Sequence, residues 1–200
     1  MTSKLKEDLQ TFSTKGIVYH STTMIVKKDT TGEYIYNKEY PNNIVKVALY
    51  FPKYANVILT TKHDDAKNGS LVFTGEAYDL IGIDIDNKDD TVEKYEELSK
   101  ENGFHKKTFT LKTANNGFHE YYKLTEIQKE QLNKFNALEG DFFGLHIDVK
   151  YNNQLLFGPA VFGDEKEFSY EIIHNVDIAI LLNYLFNEIL GNGFFYLIII

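Results

Sequence analysis

From Leu80 onward, strand and helix signals alternate in the order strand, helix, strand, strand, helix, strand, strand, and this order limits the fold more than any other feature of the chain. Residues 80–86 form an apolar, β-branched run that carries two aspartates. A helix follows, with Asp90 as N-cap, Glu93 as its capping-box partner, Val92, Tyr95 and Leu98 on one face, and Asn102-Gly103 as the stop. Residues 107–112 and 118–124 read as strands joined by Thr113-Ala114-Asn115-Asn116-Gly117, where Asn and Gly suit positive φ. Thr125 and Gln128 make a second capping box, and Ile127, Leu132, Phe135 and Leu138 line that helix until Gly140. Residues 142–150 and 154–157 close the series as a strand pair across Tyr151-Asn152-Asn153. Strands that follow one another without an intervening helix pair as hairpins, so the order predicts one mainly antiparallel sheet with helices on one face.

Ahead of this series, Leu5, Leu9 and Phe12 recur at helical spacing, and residues 44–50, 56–61 and 70–74 are strand-like around a polar loop at 63–69. A last helix is expected over residues 175–190, stopped by Gly191. No repeat or low-complexity linker divides the chain. Residues 1–200 therefore read as one domain: a smaller N-terminal lobe (1–78), a catalytic core (79–175) and a C-terminal helix and tail (176–200). The fold class is α+β, an RRM-like core of mainly antiparallel sheet with flanking helices. A hydrophobic content of 43%, with 14% aromatic, is enough to build its core.

The absence of Cys excludes disulfides and Cys-ligated zinc, so no zinc is expected, and it fits a reducing, intracellular setting. The polar N-terminus lacks the apolar stretch of a signal peptide. The longest apolar run, residues 194–200, is far short of the roughly 20 residues a spanning helix needs, so no membrane is expected. That apolar end reads either as a buried last strand or as the cut edge of a longer protein. A net charge of −8 argues against a nucleic-acid coat protein, which needs clustered Lys and Arg. It leaves room for a nucleic-acid enzyme, because active-site carboxylates count as negative here although cations neutralise them in use.

Asp84 and Asp86 sit two positions apart, so on a strand both point to one face. Two like charges side by side in an apolar run are costly unless a cation joins them, which makes the pair a candidate divalent-metal site. Asp148 lies in a second such run, among Leu145, Ile147 and Val149, and can supply a third carboxylate from another element, as two-metal phosphoryl transfer requires. Lys150 shares its face and can hold a triphosphate oxygen as a point charge. His119 begins a strand after a tight turn, where its ring can donate to the same triphosphate and the backbone of Asn116 and Gly117 can approach closely. Asp89 and Asp90 read as capping residues, Asp164, Glu165 and Glu167 as a solvated loop, and His146 as support or exposed surface. One of Tyr121 and Tyr122 should pack in the core, leaving the other free for base stacking or no role.

These motifs, in this order, resemble the archaeo-eukaryotic primase superfamily, and within it the bifunctional primase-polymerase domain of viral and plasmid replication proteins. The likeness covers about residues 44–175: Gly82-Ile83-Asp84-Ile85-Asp86, then Asn116-Gly117-Phe118-His119, then His146-Ile147-Asp148-Val149-Lys150. Ala55-Asn56-Val57-Ile58 resembles the strand before the acidic pair, and residues 154–159 the strand and Pro turn after the last Asp. The resemblance implies that Asp84, Asp86 and Asp148 hold two Mg²⁺ or Mn²⁺ ions, and that His119 contacts the phosphates of an incoming nucleotide. It also implies a single-stranded DNA template, NTP or dNTP substrates, a helicase module following this one, and the host cytoplasm or a virus factory as the compartment. Asn115-Asn116 depart from the small Ser-Gly pair common in the family, and Lys150 from a frequent Arg. Two other readings stay open: a metal-dependent endonuclease of the rolling-circle type, suggested by His146-Ile147-Asp148 but short of its second His, and a non-catalytic binding module steadied by a cation.

Overall fold

The computed structural model describes residues 2–49, 64–134, 142–152 and 154–197, with side chains as far as residue 191. Helix α1, Ser3–Thr14, opens on Thr2, whose hydroxyl accepts from the Leu5 N–H, and it buries Leu5, Leu9 and Phe12. Strands β1 (Tyr19–Thr22), β2 (Met24–Val26), β3 (Lys46–Ala48), β4 (Gly69–Phe73) and β5 (Ile81–Ile85) precede helix α2 (Thr91–Glu101). Then come β6 (Thr110–Lys112), β7 (Phe118–Lys123), α3 (Glu126–Leu132), β8 (Ile147–Lys150), β9 (Leu155–Phe162), β10 (Phe168–His174), β11 (Ala179–Ile180) and α4 (Asn183–Leu197). The main sheet runs β1-β4-β9-β10-β6-β7-β5-β8 with antiparallel neighbours throughout, and β11 lies parallel to the end of β7, beyond the first residue of β6. β2 and β3 form a separate antiparallel pair. The molecule is α+β with an antiparallel sheet, as expected, and among the described residues no helix is long and apolar enough to cross a membrane.

β10 joins the two halves of the sheet, its first residues pairing with β9 and its later ones with β6 across a register shift. The sheet curls there. β9 and β5 are four places apart in strand order, yet a Cβ at Gly82 would lie 2.2 Å from the Leu156 side chain, and the His119 ring on β7 reaches the Phe157 carbonyl on β9. Gly82 is glycine because the two halves close upon each other at that point.

Period two along each strand then separates two cores. Ile81, Ile83, Ile85, Tyr122, Ile147 and Val149 face α2, α3 and α4, whereas Tyr121 joins α1, Val72, Leu156 and Tyr170 on the other side. Tyr121 and Tyr122 are thus both core residues, neither left over for base stacking. The helices that follow Leu80 share one face, as expected, whereas α1, from ahead of that series, lies on the opposite face, where the curl creates a second apolar hollow that α1 fills.

The small β2–β3 sheet is too short to be stable alone. Met24, Val26, Ile44 and Ala48 bury it against the main core, and two asparagine side chains pin it. The Asn68 amide bonds both the N–H and the C=O of Met24 (2.7 and 3.0 Å), and the Asn115 amide bonds both groups of Ile44 (3.0 and 3.4 Å). Each amide stands in for a missing neighbouring strand.

Several local readings change. Asp90 precedes α2 in the left-handed region (φ 59°) and makes no side-chain cap bond, so the first capping box does not form; the second, Thr125 with Gln128, does. Ile127 is exposed and Gln128 is buried, its amide donating to the Leu181 carbonyl, because α3 turns its polar cap inward. Residues 142–144 form a 3₁₀ turn with Phe143 at φ 60°, so the strand there begins only at Ile147. Pro159 lies within β9, not in a turn: the register slips by one residue opposite Ser70, and a bulge tolerates a residue with no N–H. Residues 175–182 are claimed by β11 and its flanks, where Leu181 N–H bonds Lys123 O, so the last helix starts late and passes through Gly191. The strand expected at 56–61, and Phe135, Leu138 and Gly140, lie outside the described residues.

Candidate active site

Ladder register brings the three motifs together. Asp84 on β5 directly opposes His119 on β7 and, across its other edge, Asp148 on β8. Opposed residues lie about 4.5–5.5 Å apart, so residues remote in sequence share one rung. Because Ile81, Ile83 and Ile85 point to the helix-covered core, Gly82, Asp84 and Asp86 point away from it, and Asp148 and Lys150 on β8 follow the same rule. Lys150 opposes Gly82, and the Asp86 N–H bonds the carbonyl of His146, so the face reads Lys150, Asp148, His146 beside Gly82, Asp84, Asp86.

This face is a cleft with a floor and a rim. Side-chain exposure rises from 3% at His119 through 24% at Asp84 and 43% at Asp86 to 54% at Asp148. His119 Nδ1 donates to the Phe157 carbonyl at 2.9 Å, which fixes the ring and aims Nε2 at Asp84 Oδ1, 3.2 Å away. The ring also packs on Tyr170, with centroids 5.6 Å apart. Burial by itself would push the Asp84 carboxyl up, but the charge and hydrogen bond of His119, with Lys150 and Lys46 behind them, outweigh it and hold Asp84 below the ordinary carboxylate range. Lys88 pairs with Asp86 at 2.6 Å and Lys150 with Asp148 at 2.9 Å. Like charges on one rung repel, and these cations offset that repulsion.

The β6–β7 turn is positioned by its own hydrogen bonds. Asn116 takes φ 62°, and the Gly117 N–H bonds the Thr113 hydroxyl at 2.9 Å. A Cβ at Gly117 would stand 2.2 Å from the Ile85 carbonyl, so this glycine permits contact with the β5 backbone next to Asp86. Asn115, the departure from the family pattern, turns toward Ile44 instead.

Four features escaped the sequence reading. Lys46 on β3 stands over Tyr170, within electrostatic reach of Asp84 and Asp86; its only signal is a lysine between Val45 and Val47. Lys88 is close in sequence to Asp86 and could have been noticed on that ground. Asp89 is no cap: at φ 46° its carboxylate accepts from Tyr40 Oη and His146 Nε2, both at 2.9 Å, and those bonds hold it below its usual range. A polar recess of about 230 Å³ opens there, lined by Tyr40, Asn43, Asn87, Lys88 and Glu93. Glu120, buried on the opposite face, gave no signal at all.

As donors, three carboxylates on adjacent strands suit a hard divalent cation such as Mg²⁺ or Mn²⁺. Among the described residues, no three acidic or histidine side chains are drawn close enough to form a ready metal group.

Comparison with curated proteins gave no match. The family model described as bifunctional DNA primase/polymerase, N-terminal, matches residues 40–181, from just before β3 to just after β11. Because that span exceeds half of the 200 residues and includes the whole Asp84, His119 and Asp148 rung, the chain belongs to the bifunctional DNA primase/polymerase (Prim-Pol) family.

Proposed function

We propose that this domain transfers nucleotides from NTP or dNTP to a 3′ hydroxyl on a single-stranded DNA template. The observation that carries the proposal is the register: Asp84 stands between His119 and Asp148 on one rung of the sheet. Asp84, Asp86 and Asp148 would hold two Mg²⁺ or Mn²⁺ ions, which when bound supply positive charge at the reacting phosphate. His119, with its ring fixed by Phe157 and Tyr170, offers Nε2 to a phosphate oxygen, and Lys150 and Lys88 bring ammonium groups to the rim. Catalysis on this reading is positioning by a rigid antiparallel floor plus electrostatic stabilisation. A helicase module acting beside the domain, and an intracellular site of action, belong to the same proposal.

The rolling-circle nuclease reading needs paired histidines, whereas His146 bonds Asp89 and has Asp148 two residues on. The test is incorporation of labelled nucleotide on a primed or unprimed single strand with Mg²⁺ or Mn²⁺. Wild type should extend, and Asp84→Ala and Asp148→Ala, verified as folded, should not. DNA cleavage without nucleotide consumption would favour the nuclease, and metal-dependent melting with neither activity would favour the binding module.

A further inference from the structure

Of the four basic side chains around the acidic cleft, three have carboxylate partners: His119 with Asp84, Lys88 with Asp86 and Lys150 with Asp148. Lys46 is different. Among the described residues, no carboxylate lies within ion-pair distance of its ammonium, which sits 5.7 Å from the centre of the Tyr170 ring. It is partly buried, and that burial pulls its pKa below the ordinary lysine range although Asp84 and Asp86 act to raise it. A partly buried ammonium over a ring, with no ion-pair partner of its own, is unfavourable unless an anion completes it.

Its placement is built, not incidental. β3 carries Lys46 into the main domain, Val26 pairs with it across the small sheet, and the Asn115 amide fixes Ile44 two residues earlier. Asn115 lies in the turn that leads to His119, so one turn sets both side chains. Tyr170 continues the link, since its ring lies under Lys46 and against His119.

We infer that Lys46 is a substrate-binding residue of this site, contributed by the small sheet, and that it takes the phosphate chain of the incoming nucleotide. The inference rests on the nucleotidyl-transfer reading and adds to it a residue and an element. A compact polyphosphate suits this position better than a nucleic-acid backbone, because the ammonium stands over the Tyr170 ring, against which His119 also packs, within electrostatic reach of Asp84 and Asp86. Lys46 and His119 would grip the phosphates from the floor, and Lys88 and Lys150 from the rim.

The experiment compares wild type, Lys46→Met and Lys46→Arg for binding of dATP, dADP and dAMP with Mn²⁺, followed by intrinsic tyrosine fluorescence, and for steady-state incorporation. Met keeps the buried stem and removes only the charge. Lys46→Met should bind dATP about 10- to 100-fold more weakly and dAMP nearly as well as wild type, as expected for a lost charge-assisted contact to phosphate. KM for dATP should rise in step while kcat stays within about threefold, and Lys46→Arg should recover most of the loss. A folded Lys46→Met that binds dATP within about twofold of wild type would overturn the inference. So would a fall in kcat with dATP binding unchanged, which would leave Lys46 as a charge neighbour of Asp84 alone. If wild type itself neither binds nor incorporates dATP, the nucleotidyl-transfer reading fails, and this one with it.

Discussion

Asp84 and Glu120 stand one rung apart in the β5–β7 ladder, since His119 opposes Asp84 and Glu120 opposes Ile83. The strand pleat sends them to opposite faces, and the protein treats their carboxyls in opposite ways. Asp84 is surrounded by His119, Lys150 and Lys46 and is held below its ordinary pKa against the effect of burial. Glu120 receives only neutral donors: Tyr95 Oη at 2.7 Å and Tyr122 Oη at 2.8 Å, both on Oε2. Burial dominates there and lifts Glu120 above the ordinary range, although the two hydroxyls pull the other way. The lesson is that burial of an acid does not mark a site; the charge of what surrounds it does. Basic neighbours favour the ionised form of Asp84, whereas burial among neutral hydroxyls favours the protonated form of Glu120.

The largest test of that contrast is a matched pair of amides. Asp84→Asn should lower nucleotide incorporation by about 10²- to 10³-fold, the scale of removing one preorganised electrostatic group, with the fold retained. Glu120→Gln keeps an oxygen for both tyrosines and should leave incorporation within about threefold. A comparable loss from both would break the comparison and place Glu120 in the catalytic machinery.

The next test concerns the two glycines that let the active face form. At Gly117 an added Cβ meets the Ile85 carbonyl, which is backbone, whereas at Gly82 it meets the tip of the Leu156 side chain. Backbone cannot step aside without disturbing β5, so Gly117→Ala should cost about 2–3 kcal/mol and Gly82→Ala about 1–2 kcal/mol, within the usual range for overpacking. Urea midpoints at unchanged m-value measure both. The reverse order would mean that closure of β9 over β5, and not the β6–β7 turn, is the tighter constraint on the acidic face.

How much of this was legible follows from which interactions are local. The shared faces of Asp84 with Asp86 and of Asp148 with Lys150 were legible because strand period can be read from a few residues, whereas the adjacency of β5 to β7 and β8 was not, because neither strand follows β5 directly in sequence and only the order of the three motifs pointed to it. The Thr125 cap was legible for the same reason. β1, β2 and β10 were missed because they are short or mixed in polarity and exist through pairing with strands far away in sequence; β10 pairs with β9 and with β6 at once. Lys46 and the asparagine clamps were invisible because a lysine in an apolar run, or an Asn in a turn, carries no mark of the partner that a curled sheet will bring to it. Asp90 shows the converse, a local signal overridden when Asp89 is drawn to Tyr40 and His146.

The smallest expected effect is a change of slope. The folded pKa of Glu120 is raised, so the folded chain holds its proton more tightly than the unfolded chain, where the carboxyl titrates near the free value of about 4.3. The stability contributed by this group is therefore complete below about pH 4.3 and is lost as pH rises through the folded value. Gln does not titrate. In Glu120→Gln that decline should be absent, so the difference in unfolding free energy between variant and wild type should move in favour of the variant as pH increases from about 4 toward 8. Urea unfolding of the two proteins across this range measures it. A difference that stays flat with pH would mean that Glu120 is ionised in the fold, with Tyr95 and Tyr122 stabilising the anion, and the contrast with Asp84 would then be one of ligand type and not of charge.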